Sequence, residues 1–232
     1  MYPYLLFDAD GTLFDFKTAE EAALKALCDE SGISCSSQIK TLYSAINQQL
    51  WHTFEQGGIA IDALKIERFR QFYAYLGLDA DPMDASQRYL DYLAQSDHIY
   101  PETVPVLEEL HRRGYRISLI TNGVARVQRG RLAATHTGHF FEQVFISEEL
   151  GEQKPDAAYF SLVLDRLEIP VHQTDQILVI GDSLSSDIQG GINAGLATCW
   201  YNPERKPAQP DIKPIYEINH LKELLTLLPP IF

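Results

Sequence analysis

Asp8 and Asp10 stand two apart at the end of the run Tyr4-Leu5-Leu6-Phe7, and Gly11 follows directly. The apolar run reads as a buried strand that the glycine breaks, so both carboxylates project from the strand's carboxyl end, where open α/β sheets bind ligands. Like charges at that spacing repel and raise a pKa unless a cation neutralises them. The pair makes chemical sense if one carboxylate attacks, the other moves protons and a metal holds both. An ordinary strand-ending turn would use the same letters.

Three further segments place polar residues where a strand or loop hands over to a helix. Arg116 to Ile120 is a second strand-like run and ends in Thr121-Asn122-Gly123. Glu152-Gln153-Lys154-Pro155-Asp156 sets a lysine before a proline suited to the first turn of a helix. Gln176 to Ile180 is a third apolar run, followed by Gly181-Asp182-Ser183-Leu184-Ser185-Ser186-Asp187. In a parallel sheet such handovers gather at one edge. Singly, Lys154 reads as a solvated charge, Thr121 and Asn122 as a strand end or helix cap, and Asp187 as an acid favoured by a helix dipole. Together, several carboxylates, one hydroxyl, one amide and one ammonium describe a magnesium-assisted phosphoryl-transfer site.

In this order, Asp8-x-Asp10-Gly11-Thr12, Thr121-Asn122-Gly123, Lys154-Pro155 and Gly181-Asp182-Ser183-x-x-x-Asp187 resemble the four motifs of the haloacid dehalogenase superfamily, and they frame nearly the whole chain. The resemblance implies an α/β fold, a doubly wound Rossmann-like parallel sheet, in which the first aspartate is phosphorylated and then hydrolysed. Asp8 would be the nucleophile, and Asp10 would protonate the leaving alkoxide and then activate water. Thr121 and Lys154 would hold the phosphoryl oxygens, helped by Asn122 and the backbone amides near Gly123. Mg²⁺ would sit between Asp8, Asp182 and the backbone carbonyl of Asp10, with Asp187 behind them orienting metal-bound water or Lys154.

The resemblance also bears on the alternatives. Dehalogenase members lack the acid at the position of Asp10, so phosphate ester hydrolysis is expected. A sugar-phosphate phosphatase and a phosphoglucomutase-like mutase share both aspartates and stay open. Gly181-Asp182-Ser183-Leu184 matches the short signature of a serine esterase and lipase family, with His220 as the nearest later histidine and Glu217 three residues before it. That reading leaves Asp8, Asp10, Thr121 and Lys154 without a role. A catalytically silent interaction protein is opposed by retention of every catalytic side chain.

The elements that must position these groups follow from periodicity. Between Phe14 and about Asp97 helical spacing dominates: Glu20, Leu24 and Leu27, stopped at Gly32; Leu42, Ile46, Leu50 and Phe54, broken at Gly57-Gly58; Ile66, Phe69, Phe72, Tyr73 and Leu76, ended by Gly77; and Tyr89, Leu90 and Leu93. These predict an all-α cap of four helices over residues 15–97, inserted after the nucleophile strand into a core of residues 1–14 and 98–232. From Pro101 onward helices and strands alternate, with strands at 116–120, 144–146, 177–180 and 196–200, a short one near 214–216, and helices at 104–110, 127–134, 157–167, 188–194 and 221–228. The residues from Asn202 to Pro214 read as an irregular loop. His136-x-x-His139 beside Gly138 reads as a helix end rather than a metal site.

A cap can close over a site and choose the substrate. Asn47-x-x-Leu50-Trp51-x-x-Phe54-x-x-Gly57-x-Ile59 with Arg68-Phe69, Ser147-Glu148-Glu149-Leu150-Gly151 and the run from Gly190 to Pro203 resemble the noncanonical pyrimidine nucleotidase branch. This implies a 5'-nucleotidase acting on a small phosphorylated metabolite, a nucleoside monophosphate. Asn47, Trp51 and Arg68 are the candidate substrate contacts of the cap, and most of Phe69, Phe72, Tyr73 and Tyr75 are assigned to packing.

Composition agrees. The chain has 232 residues, 45% of them hydrophobic, enough for a core plus an insertion. A formal net charge of −13 opposes binding a nucleic acid polymer, although one phosphate beside Mg²⁺ and Lys154 sees the local field. Three cysteines, Cys28, Cys35 and Cys199, form no disulfide framework and point to the cytoplasm. No leader or bilayer-length apolar run is expected, and the protein is expected as a monomer or homodimer.

Overall fold

The computed structural model describes residues 2–231. Among them six strands form one parallel sheet in the order β3-β2-β1-β4-β5-β6. The strands are β1 (Tyr4–Asp8), β2 (Arg116–Thr121), β3 (Val144–Ile146), β4 (Ile177–Gly181), β5 (Ala197–Tyr201) and β6 (Tyr216–Ile218). Leu5, Leu6 and Phe7 and the whole run Ile177–Ile180 are buried, as strands covered on both faces must be, which is why they read as unbroken apolar runs. Tyr159, Phe160 and Val163 pack with Leu6, Ile120, Phe145 and Val179 in one of the core clusters.

The chain places β2 and β3 on one side of β1 and then returns to its other side with β4, β5 and β6. The strand order therefore reverses beside β1, and such a reversal opens a crevice at the carboxyl ends of the strands. Register brings the motif-bearing ends level: Asp8 lies opposite Ile120, one residue before Thr121, and Phe7 lies opposite Ile180, one residue before Gly181.

The inserted helices are α1 (Phe16–Glu30), α2 (Ser37–Glu55), α3 (Ile61–Leu76) and α4 (Pro82–Ala94). The remaining helices are α5 (Thr103–Arg112), α6 (Ala125–Ala134), α7 (Ser147–Leu150), α8 (Ala157–Arg166), α9 (Gln189–Asn193) and α10 (Leu224–Leu227). Residues Phe16–Asp97 form a unit of their own together with Arg126–Ala134, whereas the sequence assigns the latter segment to the sheet-bearing core. The reason is a glycine: a Cβ on Gly130 would lie 2.4 Å from the Ala94 carbonyl oxygen, so only glycine lets α6 come this close to the end of α4. Within this unit Tyr43, Phe69 and Tyr89 form a triangle of rings with centroids 5.3 Å apart. Phe69, Phe72 and Tyr73 are buried there, but Tyr75 is exposed and does not pack in the core.

Several boundaries differ from the sequence reading. Pro155 is not in the first turn of α8. It lies two residues before it, after a cis Lys154–Pro155 bond. The segment predicted as a helix at 188–194 begins earlier, as a wide π-helical turn over Leu184–Ile188, before α9. The C-terminal helix is divided into a 3-10 turn, Leu221–Glu223, and α10, and β6 falls two residues later than predicted. Among the described residues no helix is long and apolar enough to cross a membrane.

Candidate active site

β1 ends at Asp8, and the chain folds back at once. Leu13 N and Phe14 N donate to the Ala9 carbonyl at 2.9 and 2.8 Å, and Gly11 N donates to the Phe14 carbonyl at 3.0 Å. Asp10 lies half-buried in this turn. Gly11 has φ +90°, and a Cβ there would lie 2.6 Å from Oδ2 of Asp182. Both the backbone and the space therefore demand glycine. Gly11→Ala is expected to lower stability by roughly 1–2 kcal/mol through the left-handed backbone alone. The new methyl also displaces the Asp182 carboxylate; thermal melting of the variant beside the wild type checks the loss of stability.

β4 ends at Gly181, where a Cβ would lie 2.2 Å from Oδ2 of Asp187. The following wide turn explains that contact. Asp187 N and Ile188 N both donate to the Ser183 carbonyl, at 3.0 and 3.1 Å, and the Ser183 hydroxyl caps the turn by accepting from Ser186 N at 3.2 Å. π-type turns of this kind recur at functional sites. The turn carries Asp187 back beneath the strand end, where its Oδ2 accepts from Ser183 N at 3.0 Å and its Oδ1 from Lys154 Nζ at 2.6 Å.

Lys154 is 1% exposed and uses all three of its protons: on Asp187, on Asp8 Oδ1 at 2.7 Å and on the Ile120 carbonyl at 3.1 Å. Asn122 fixes its main chain, donating from Nδ2 to the Lys154 carbonyl at 2.8 Å and accepting from Lys154 N on Oδ1 at 2.9 Å. The sequence reading offers this side chain to phosphoryl oxygens; in the structure one of its N–H groups and its oxygen bond the Lys154 main chain. Gly123 N, also counted as an oxygen ligand, donates to Thr121 Oγ1 at 2.9 Å. That bond fills an acceptor position of the buried Thr121 hydroxyl and leaves its proton for a ligand. Tyr159, which sequence reasoning treated only as part of a helix, accepts from Thr121 N at 3.1 Å and donates to the Phe145 carbonyl at 2.9 Å. Its place in an apolar helix stripe hid that function.

Oxygens of Asp8, Asp182 and Asp187 lie within 4.8 Å of one another, and Asp10 stands outside this trio. Burial, then the neighbouring Asp187 charge, push the Asp8 carboxyl well above the usual carboxylate range. Burial and Asp187 likewise push Asp182 to about 7. Burial works against the Lys154 ammonium, but Asp187 and Asp8 hold its pKa above the ordinary lysine value. Asp8 Oδ2 also accepts from Thr12 Oγ1 at 3.1 Å. Two carboxylates thus share one ammonium, with the third, Asp182, clustered beside them in space kept open by two glycines. This all-oxygen set with a surplus of negative charge fits a hard divalent cation. Asp8, Asp182 and Asp187 are the carboxylates whose oxygens could ligate it.

The three predicted substrate contacts belong to the helical unit. Asn47 and Arg68 are each 1% exposed and bond one another, with Arg68 Nη1 donating to Asn47 Oδ1 at 3.3 Å. Their burial removes them as direct contacts for a solute. Trp51 packs edge-on against Phe54, centroids 5.5 Å apart, in a cluster with Leu50 and Leu64. His136 and His139 form a turn, the Nδ1 of His139 lying 2.8 Å from the His136 carbonyl.

The family model for haloacid dehalogenase-like hydrolases matches residues 2–195. The pyrimidine 5'-nucleotidase PynA of Streptococcus pneumoniae is 38% identical over 98% of this chain and 95% of its own length. The pyrimidine 5'-nucleotidase YjjG of Escherichia coli is 31% identical over 98% of both chains. A crystal structure of the HAD-hydrolase YfnB of Bacillus subtilis bound to magnesium superposes with a TM-score of 0.91 at 38% identity, covering 98% of each chain.

Proposed function

Because the chain belongs to the haloacid dehalogenase-like hydrolases, we propose that it is a magnesium-dependent phosphomonoester hydrolase that passes through an aspartyl phosphate on Asp8 and takes pyrimidine nucleoside 5'-monophosphates as substrates. The observation that carries the reading is Lys154, buried and bonded to both Asp8 and Asp187, with Asp182 clustered beside them at the strand-order reversal. The nucleotide preference is supported by the likeness to PynA and YjjG over almost the full chain.

In this reading Asp8 attacks phosphorus in line with the departing alkoxide. Lys154 keeps that carboxylate oriented, favours its ionised form against burial and the Asp187 charge, and offers a positive charge to the phosphoryl oxygens. Thr121 donates its hydroxyl proton to one of them, positioned by Tyr159 and Gly123. Asp10 protonates the leaving oxygen and later takes a proton from water, which then cleaves the acyl phosphate. Asp8 and Asp182 would hold the magnesium, which supplies charge neutralisation as the phosphoryl group transfers. The inserted helices are the proposed substrate-selecting cap. Cys28, Cys35 and Cys199 are free thiols, which supports a reducing, cytoplasmic setting.

Phosphate release from uridine and thymidine monophosphates, hexose phosphates and an aryl phosphate, with and without EDTA, tests the proposal. Nucleotides should lead and EDTA should abolish turnover; equal or better turnover of hexose phosphates contradicts the nucleotidase assignment. The serine esterase alternative has its own check. Ser183 Oγ caps a turn, and His220 is exposed, with Nδ1 3.9 Å from Glu102 Oε1. Ser183→Ala should cost about 1 kcal/mol of stability, as loss of a cap does, and keep most phosphatase activity.

A further inference from the structure

The helical unit contains a cavity of about 610 Å³, whose lining includes Lys17, Glu20 and Glu21 of α1 and Lys40, Ser44 and Gln48 of α2. That volume lies in the range of small-molecule sites. Two lysines stand with two glutamates, and Lys40 already pairs with Glu21 at 2.9 Å, so these walls have no surplus charge to offer an ion. Their hydroxyl, amide and carboxylate groups suit a neutral ligand rich in hydrogen-bonding edges.

The wall at Glu20 is built from behind. Asn47 Nδ2 donates to Glu20 Oε1 at 2.7 Å, and Arg68 Nη1 donates to Asn47 in turn. The Arg68 guanidinium lies 4.6 Å from the Tyr89 ring centroid and 5.5 Å from that of Phe69, while its Nε and Nη2 are buried without a hydrogen-bond partner. A partly unpaired guanidinium in a helical interior weakens the fold, and an apolar side chain of similar volume would fill the space at lower cost. What the arginine and asparagine accomplish is to hold a carboxylate at a cavity wall. Ser44 lines the same cavity, and Asn47 takes one of the roughly four acceptor positions of that carboxylate.

We propose that this cavity binds an uncharged, hydrogen-bonding moiety of nucleoside size, with Glu20 accepting from its N–H or O–H groups and Asn47 and Arg68 as positioning residues. The moiety is either part of a phosphorylated substrate or a free neutral compound. Uridine is the probe, titrated by calorimetry into the wild-type protein, Glu20→Gln, Ser44→Ala and Arg68→Met. Wild type should bind, and Glu20→Gln and Ser44→Ala should each weaken binding at least tenfold; Ser44→Ala carries the test should Glu20→Gln unfold. Arg68→Met should weaken binding while its melting temperature holds or rises, a combination that a merely structural role would not give. Competitive inhibition of nucleotide turnover by uridine identifies the substrate's own moiety as the occupant, and noncompetitive inhibition a free one; both uphold the site. Equal binding by all four proteins, or none by wild type at about 10 mM, the weak end of specific affinity, overturns it. The titration uses no turnover, so the nucleotidase reading and this site fail separately.

Discussion

Asp8→Asn should reduce phosphate release by on the order of 10⁴-fold or more, the scale seen when a covalent nucleophile is removed from an intact site. The loss should come without loss of the fold. Asp8 is buried beside Asp187 and Asp182, and its carboxyl pKa is pushed up by burial first and by Asp187 next. A raised folded-state pKa means that the fold disfavours the charged form, so this group lowers stability progressively as pH rises above the ordinary carboxylate value of about 4. The amide escapes that penalty and still offers an oxygen to Lys154. In the absence of metal the variant should therefore melt no lower than wild type, and the gap in its favour should widen from pH 5 to pH 8. Loss of both activity and folding would mean that Asp8 is structural; retained activity would remove it from the chemistry.

Lys154→Met should behave in the opposite way. Lys154 is the buried cation that neutralises Asp8 and Asp187, at 2.7 and 2.6 Å. Its removal strands two interior carboxylates, and breaking a buried pair in this manner costs about 3–5 kcal/mol. For a chain of this size that is a fall in melting temperature of roughly 6–20 °C. Turnover should drop by about 10²–10³-fold, the effect of removing one well-placed electrostatic contact. Since the deficit is one of positive charge, added magnesium should restore part of the lost stability but not the activity. Differential scanning calorimetry with and without the metal, beside steady-state kinetics, separates the two effects. A variant that melts like wild type would show that Lys154 does not carry the charge balance of the site.

The two substitutions differ because the site is overloaded with negative charge, and that imbalance was already legible in the sequence. Asp8, Lys154, Asp182 and Asp187 each follow a strand or loop signal strong enough to place them: unbroken apolar runs for β1 and β4, a strand-like run interrupted by Ser118 for β2, and Gly11 and Gly181 as breaks. Parallel pairing then brings the run ends to one edge, as the register of Asp8 with Ile120 shows. The inserted helices were legible for the same reason, their stripes recurring at helical spacing and ending at Gly32, Gly57 and Gly77, all of which have positive φ.

What could not be read depends on bonds between residues distant in the chain. Asn122 and Lys154 are 32 positions apart, and nothing local says that the amide clamps the lysine's backbone rather than facing a phosphate. Tyr159 sits in an apolar stripe, so periodicity accounts for its ring and is silent on the hydroxyl that positions Thr121. Arg68 reads in the sequence as a substrate contact of the inserted helices, and only the structure reveals its burial and its ring contacts with Phe69 and Tyr89. The wide turn at Leu184–Ile188 arises from two amides sharing the Ser183 carbonyl, an arrangement with no sequence periodicity of its own.

Covalent chemistry at position 8 is the claim on which the rest depends, and an acid-quench experiment reaches it directly. The protein, mixed with magnesium and a nucleoside monophosphate and quenched within the first turnover, should yield a peptide containing Asp8 that is heavier by one phosphoryl group and loses it on treatment with hydroxylamine. Asp8→Asn should yield none. A phosphoryl group found on Ser183, or burst-phase product release with Asp8 never modified, would contradict the account.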